Sequence, residues 1–128
     1  MLLHHSGFVV EDIDNWETRM VFEEKVKDVI DPIQNSRLTL YKNFSQPYIE
    51  LIQPLNEQSL SWTSLKKFGN HFNHFCYSVN SIEEMERVAA GFQLQQVLAP
   101  VPAILFNNKK VAFYFARNKQ LVEFLIEN

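Results

Sequence analysis

The chain has 128 residues, 46% hydrophobic and 21% charged, which is typical of one globular domain and excludes a disordered chain. Its formal net charge of −3 comes without a basic stripe, so a nucleic-acid partner is excluded. No apolar run is long enough to span a bilayer or to form a signal peptide, and the single Cys76 excludes an internal disulfide, so we expect a cytoplasmic protein without membrane contact.

The first half of the chain predicts a strand, a helix and two or three further strands. Apolar and β-branched residues predict a strand at 3–10. In the next segment, EDIDNWETRMVFEEKVK, apolar residues recur at helical spacing, and Asp14 with Glu17 has the pattern of a capping box, so we expect a helix there. The segments SRLTLYKNF and QPYIELIQP have the alternation and the apolar content of strands.

Residues 55–70 predict a linker that contains a short helix, and the second half of the chain then repeats the first. HFNHFCYSV predicts a strand, and Ser81 with Glu84 predicts a capping box at the start of a helix that Gly91 ends. A strand and a proline-broken loop follow in FQLQQVLAPVPAILF, and KKVAFYFAR and QLVEFLIE predict the last two strands.

The two halves align with each other at their strands. His5 aligns with His74, which follows it by 69 residues, and Glu50 aligns with Glu123, which follows it by 73. A nearly constant offset is typical of an internal repeat, so we interpret the chain as one βαββ(β) unit that occurs twice. The repeat singles out two histidines and two glutamates at matched positions.

The alternation of side chains along a strand predicts what surrounds these four residues. His5 and His74 share their faces with small residues, whereas the opposite faces carry bulky ones and, in the first strand, His4. This is the pattern of a strand with a core on one side and a cavity on the other. Because a buried carboxylate needs a partner, two imidazoles and two carboxylates meeting from both modules predict a nitrogen–oxygen site for a divalent transition metal, whose identity the mixed ligands leave open.

At these positions the chain resembles the vicinal oxygen chelate superfamily, which includes glyoxalase I, methylmalonyl-CoA epimerase, extradiol dioxygenases, and the fosfomycin and bleomycin resistance proteins. HHSGFVVEDID is similar to the family's first strand and helix start, YIELIQPL to its fourth strand, FNHFCYSVNSIEEM to the strand that opens the second module, and LVEFLIE to its last strand. The resemblance implies an α+β fold of two βαβββ modules that form an open, curved, barrel-like mixed sheet. It implies one glyoxalase-like domain over 1–128, with module one at 1–54, a linker at 55–70 and module two at 71–128.

The resemblance also implies the metal ligands and the branch of the family. The family's metal positions correspond to His5, Glu50, His74 and Glu123, and the ion would be divalent Zn, Ni, Co, Mn or Fe. DPIQNSRLTLY, SLSWTSLKKFGN and PVPAILFNNKKVAFYF look most like the methylmalonyl-CoA epimerase branch. Two departures separate the chain from that branch. Glutamine is usual there where Glu50 stands, and a further glutamate that serves as a base falls near Leu38 or Thr39, neither of which can take a proton from carbon.

From the resemblance we expect an enzyme, a metal-dependent epimerase or isomerase of an acyl thioester or a similar α-acidic carbonyl compound. Its chemistry would be proton abstraction beside a carbonyl, with Glu123 as the first base, Glu50 as the second, and a metal that stabilises the enolate. Two alternatives stay open: a glyoxalase I-type thiohemiacetal isomerase or lyase, whose ligand set is also His, Glu, His, Glu, and a metal-free small-molecule binding module. The partner would be a small molecule such as a CoA thioester, and the apolar final strands permit a homodimer.

Overall fold

The computed structural model describes residues 1–128 and contains eight strands, three α-helices and one 3₁₀ turn. In chain order the elements are β1 (Leu2–Val9), α1 (Ile13–Glu17), β2 (Glu24–Asp31), β3 (Ser36–Asn43), β4 (Gln46–Pro54), α2 (Trp62–Phe68), β5 (His71–Val79), α3 (Ile82–Gly91), β6 (Gln95–Pro102), the 3₁₀ turn (Ile104–Phe106), β7 (Lys110–Phe115) and β8 (Leu121–Ile126). The order β–α–β–β–β therefore occurs twice along the chain, once before α2 and once after it, as the repeat predicts. The strands form one mixed sheet in the order β2-β3-β4-β1-β5-β8-β7-β6, which confirms the α+β class. None of the helices is long and apolar enough to cross a membrane.

The chain divides into two compact units, the first made of Met1–His5 with His74–Asn128 and the second of Ser6–Asn73. In the first unit, β5 pairs in parallel with β8, and β7 pairs antiparallel with both β8 and β6. Helix α3 covers one face of these strands. Its buried side chains Met85 and Ala89 belong to a core cluster that also contains Val79, Ala112, Tyr114, Phe124 and Ile126.

The first turn of α3 is capped as the sequence predicts. The Ser81 hydroxyl accepts a hydrogen bond from the backbone N–H of Glu84 at 3.1 Å, and the Glu84 carboxylate accepts one from the backbone N–H of Asn80, also at 3.1 Å. These bonds satisfy N–H groups that have no partner inside the helix. The helix ends at Gly91, again as predicted.

We expect the substitution Ser81→Ala to lower the free energy of unfolding by about 1 kcal/mol, because the N–H of Glu84 loses its acceptor. Urea denaturation of the variant beside the parent protein measures the effect. The matched control is Ser81→Thr, which keeps the hydroxyl and should stay within a few tenths of a kcal/mol of the parent. Equal losses in both variants would contradict a capping role.

In the second unit, β3 pairs antiparallel with β2 and with β4, and α1 packs over one face of the unit. Its core cluster contains Val10, Ile13, Tyr41 and Leu51, all fully buried. The linker helix is present as α2, in which Leu65 is the buried residue.

The helix predicted in EDIDNWETRMVFEEKVK is largely wrong. Only Ile13–Glu17 is helical, its N-cap is Asp12 rather than Asp14, and Glu24–Asp31 is strand β2. The reason is a long-range one: β2 pairs along its length with β3, and the side chain of Arg37 in β3 binds Asp28 at 2.8–3.0 Å. A register shift at residues 25–27 interrupts the alternation of side chains between the two faces of β2. The sequence there consequently lacks the alternating pattern that is typical of a strand.

Candidate metal centre

Two predicted histidines meet inside the first unit. His5 lies on β1 and His74 on β5, strands that are neighbours in the sheet, and their side chains are 0% and 1% exposed. The two Nε2 atoms are 3.2 Å apart, and the rings meet edge to face with centroids 5.3 Å apart. Strand alternation buries these two rings on the same side, since each residue occupies a buried position between more exposed neighbours.

Glu123 joins the two histidines from β8. The parallel pairing of β5 with β8 sets Glu123 opposite Cys76, which is two residues from His74 and on the same face. Its Oε1 atom lies 3.0 Å from Nε2 of His5 and 3.0 Å from Nε2 of His74, and its side chain is 2% exposed. The structure thus brings together three of the four predicted site residues in one buried group.

The two Nε2 atoms and Oε1 of Glu123 are arranged as ligands of a cation. Two nitrogens and one oxygen form a triangle with sides of 3.0, 3.0 and 3.2 Å, yet Oε1 of Glu123 accepts no well-directed hydrogen bond. Atoms packed this closely need a positive charge among them, either from a hydrogen on one of the rings or from a metal ion. Ligands held about 2.0–2.2 Å from one ion, as His nitrogen and carboxylate oxygen are on zinc, stand roughly 3.0–3.5 Å apart. The three residues therefore fit a divalent metal.

The charge of Glu123 is consistent with the same interpretation. Burial by itself would raise the pKa of this carboxyl, but its close polar contacts with His5 and His74 outweigh burial and hold the pKa well below its ordinary value. A lowered pKa favours the carboxylate form, which is the form that binds a metal.

Glu50, the fourth predicted residue, lies on β4 in the second unit and is 3% exposed. It stands opposite Leu40 of β3, so it points to the sheet face that also carries Leu38, which pairs with Ile52. Thr39 is buried on the other face, toward α1. Of Leu38 and Thr39, which lie near the position of the family's further base, only Leu38 is therefore on the face of Glu50. Its apolar side chain cannot transfer a proton.

Three aromatic residues around the histidines were not predicted. Phe106, from the 3₁₀ turn, stacks on the His5 ring at 5.5 Å, and Phe113 of β7 meets the His74 ring edge-on at 5.8 Å. The third is His4, which strand alternation places opposite His5; its Nδ1 atom nevertheless lies 2.9 Å from Nδ1 of His5. No local pattern marks these contacts, because each depends on a segment distant in the chain or on the rotation of one ring.

Comparison with known proteins identifies the family. Residues 4–113 match the profile of the Glyoxalase/Bleomycin resistance protein/Dioxygenase superfamily. The chain belongs to this superfamily. Its membership confirms the resemblance on which the sequence-based predictions of the site depend. No protein of curated function matches the sequence significantly.

Solved structures share the glyoxalase-like fold of this superfamily member. Methylmalonyl-CoA epimerase from Mycobacterium tuberculosis superposes with a TM-score of 0.83 at 22% identity, covering 98% of this chain and 87% of the epimerase. A hypothetical protein from Bacillus halodurans has a TM-score of 0.83 at 24% identity over 98% of this chain and 94% of its own. A Streptomyces coelicolor methylmalonyl-CoA epimerase variant in complex with 2-nitronate-propionyl-CoA has 0.82 at 16% identity, over 98% and 96%. These likenesses confirm the predicted fold.

Proposed function

We propose that the chain is a metal-dependent epimerase or isomerase of an acyl thioester, such as a CoA thioester, or of a similar compound with an acidic α hydrogen. The observation that carries the proposal is the buried meeting of Nε2 of His5, Nε2 of His74 and Oε1 of Glu123 within 3.2 Å of one another. The likeness to methylmalonyl-CoA epimerases, one of them in complex with methylmalonyl-CoA, supports the choice of substrate class.

The ligands in this proposal are His5, Glu50, His74 and Glu123, around one divalent ion of Zn, Ni, Co, Mn or Fe. All four side chains are buried. Two imidazoles and two carboxylates are ligands that these ions accept, and the pair of carboxylates offsets the charge of the ion. Glu50 takes its place in the set because it is the repeat partner of Glu123 and is equally buried.

A divalent metal held by these four residues would supply a Lewis acid for the negative charge that develops on the carbonyl oxygen of the substrate. Glu123 is the first base and takes the α proton onto a carboxylate oxygen. Glu50 is the second base: its carboxyl, protonated from solvent before turnover, donates a proton to the opposite face of the carbon, and the proton on Glu123 then passes to solvent. Leu38, on the face of Glu50, supplies no proton-transfer group. The apolar rings of Phe106 and Phe113 keep water from the histidines.

Glyoxalase I-type isomerisation of a thiohemiacetal is the second candidate. The specific feature that favours it is the presence of glutamate rather than glutamine at position 50, so that both repeat-related positions carry a carboxylate. A metal-free binding module is the third candidate, which the aromatic content of 13% suits. The predicted cytoplasmic location and the homodimer stay predictions from the sequence.

The test combines metal analysis with an exchange assay. We expect the purified protein to hold about one equivalent of a divalent transition metal by elemental analysis, and to exchange the α hydrogen of methylmalonyl-CoA in D₂O, as followed by mass spectrometry. The same assay with the hemithioacetal of methylglyoxal and glutathione tests the second candidate. Turnover of the hemithioacetal alone would replace the proposal by the glyoxalase I reaction. A protein that holds no metal and exchanges no substrate would favour the binding module.

A further inference from the structure

We propose that His4 is a positioning residue, which holds the imidazole of His5 in the tautomer whose Nε2 lone pair faces His74 and Glu123. The inference rests on the proposed metal-dependent function, since the purpose of this tautomer is to bind a cation. The contact that carries it is the 2.9 Å distance between Nδ1 of His4 and Nδ1 of His5. A ring that directs a metal-binding histidine in this way is a common feature of metal sites.

Only one hydrogen can lie between the two Nδ1 atoms, so one ring donates and the other accepts. If His4 donated, the neutral His5 ring would carry its hydrogen on Nε2, 3.0 Å from Oε1 of Glu123. That oxygen, however, accepts no well-directed hydrogen bond. Nε2 of His5 also lies 3.2 Å from Nε2 of His74, where again only one hydrogen can lie, and His74 can donate it. We therefore assign His5 as the donor through Nδ1–H, and its Nε2 keeps a lone pair. His4 then carries its own hydrogen on Nε2.

Packing against Phe106 keeps both rings in this arrangement. The Phe106 ring stacks on His5 with an interplanar angle of 24° and meets His4 edge-on at 5.3 Å and 89°. His5 is fully buried and His4 half-buried, so rotation of either ring is blocked on the Phe106 side. Phe106 thus holds in place both His5 and His4, the ring that accepts the hydrogen of His5.

Loss of the acceptor should release the tautomer. In a His4→Leu variant the Nδ1–H of His5 loses the acceptor that His4 provides, and the alternative tautomer, with the hydrogen on Nε2, gains population. Since that hydrogen blocks the nitrogen that binds metal, we expect the dissociation constant for zinc to rise about 10- to 100-fold, as for other lost partners of metal-binding histidines. A His4→Gln variant offers an amide oxygen as acceptor and should restore affinity to within about threefold of the parent.

Two measurements test the inference. Long-range ¹H–¹⁵N NMR spectra of the metal-free parent protein should show His5 protonated at Nδ1, a result that needs no variant to fold. The His4→Leu variant should lose this signature and His4→Gln should keep it, while zinc affinity, measured by competition with a chelator, follows the same order. The control is His71→Leu, which removes the histidine hydrogen-bonded to the Gly69 carbonyl and should leave zinc affinity unchanged.

The outcomes separate this inference from the proposed function. His5 protonated at Nε2 in the parent, or an unchanged tautomer and affinity in His4→Leu, would overturn the positioning role. A tautomer that depends on His4 in a protein without isomerase activity supports the positioning role while the proposed function fails. A second equivalent of zinc that is lost in Cys76→Ala would also overturn the inference. One ring nitrogen of His4, one of His5 and Sγ of Cys76 lie within 4.8 Å of one another, and these residues would then be ligands themselves.

Discussion

Glu123→Gln is expected to abolish α-hydrogen exchange, with a loss of at least about 100-fold, because it removes both the proposed first base and a proposed metal ligand. The carboxylate oxygen Oε1 lies 3.0 Å from Nε2 of both imidazoles. The neutral amide also removes the negative charge that offsets a divalent ion. Elemental analysis should therefore show loss of the metal together with loss of exchange.

The matched control is Glu86→Gln on the exposed side of α3, which changes the same charge far from the histidines and should leave exchange and metal content unchanged. Circular dichroism and thermal unfolding establish that the Glu123→Gln variant is folded before its activity is compared. A folded Glu123→Gln protein with the turnover of the parent would eliminate the proposed mechanism.

Phe124→Ala is expected to have the largest effect on stability, lowering the free energy of unfolding by about 3–5 kcal/mol. Phe124 is 1% exposed in the core cluster of the first unit, and its ring meets Tyr114 edge-on at 5.5 Å and 81°. Removing the ring leaves a cavity between α3 and the strands and ends this aromatic contact. The loss is a large part of the roughly 5–15 kcal/mol that stabilises an ordinary domain. Urea denaturation measures it.

The control for this substitution is Phe92→Ala, which removes the same ring just after α3 at a position that is 68% exposed. We expect a change within about 0.5 kcal/mol, as for other surface positions. A Phe124→Ala variant that loses less than about 1 kcal/mol would mean that the cluster around α3 contributes little to the stability of the unit.

Agreement between prediction and structure is best where a feature depends on neighbouring residues. Ser81 and Glu84 cap α3 as predicted, because capping is decided within one turn of helix. The two-residue period predicts β3 and β4 for the same reason. The failure at β2 has the opposite cause: pairing with β3 and a register shift at residues 25–27 outweigh a local spacing that is typical of a helix.

The site divides in the same way. The residues of the proposed site could be selected from the sequence alone, since the repeat matches His5 with His74 and Glu50 with Glu123 and strand alternation assigns each a face. The distances between these side chains could not be predicted from the sequence. The register that sets Glu123 opposite Cys76 comes from the parallel pairing of β5 with β8, which are far apart in the chain. The contact of His4 with His5 could not be predicted either, because strand alternation places the two side chains on opposite faces. Phe106, about a hundred residues away along the chain, packs against both rings.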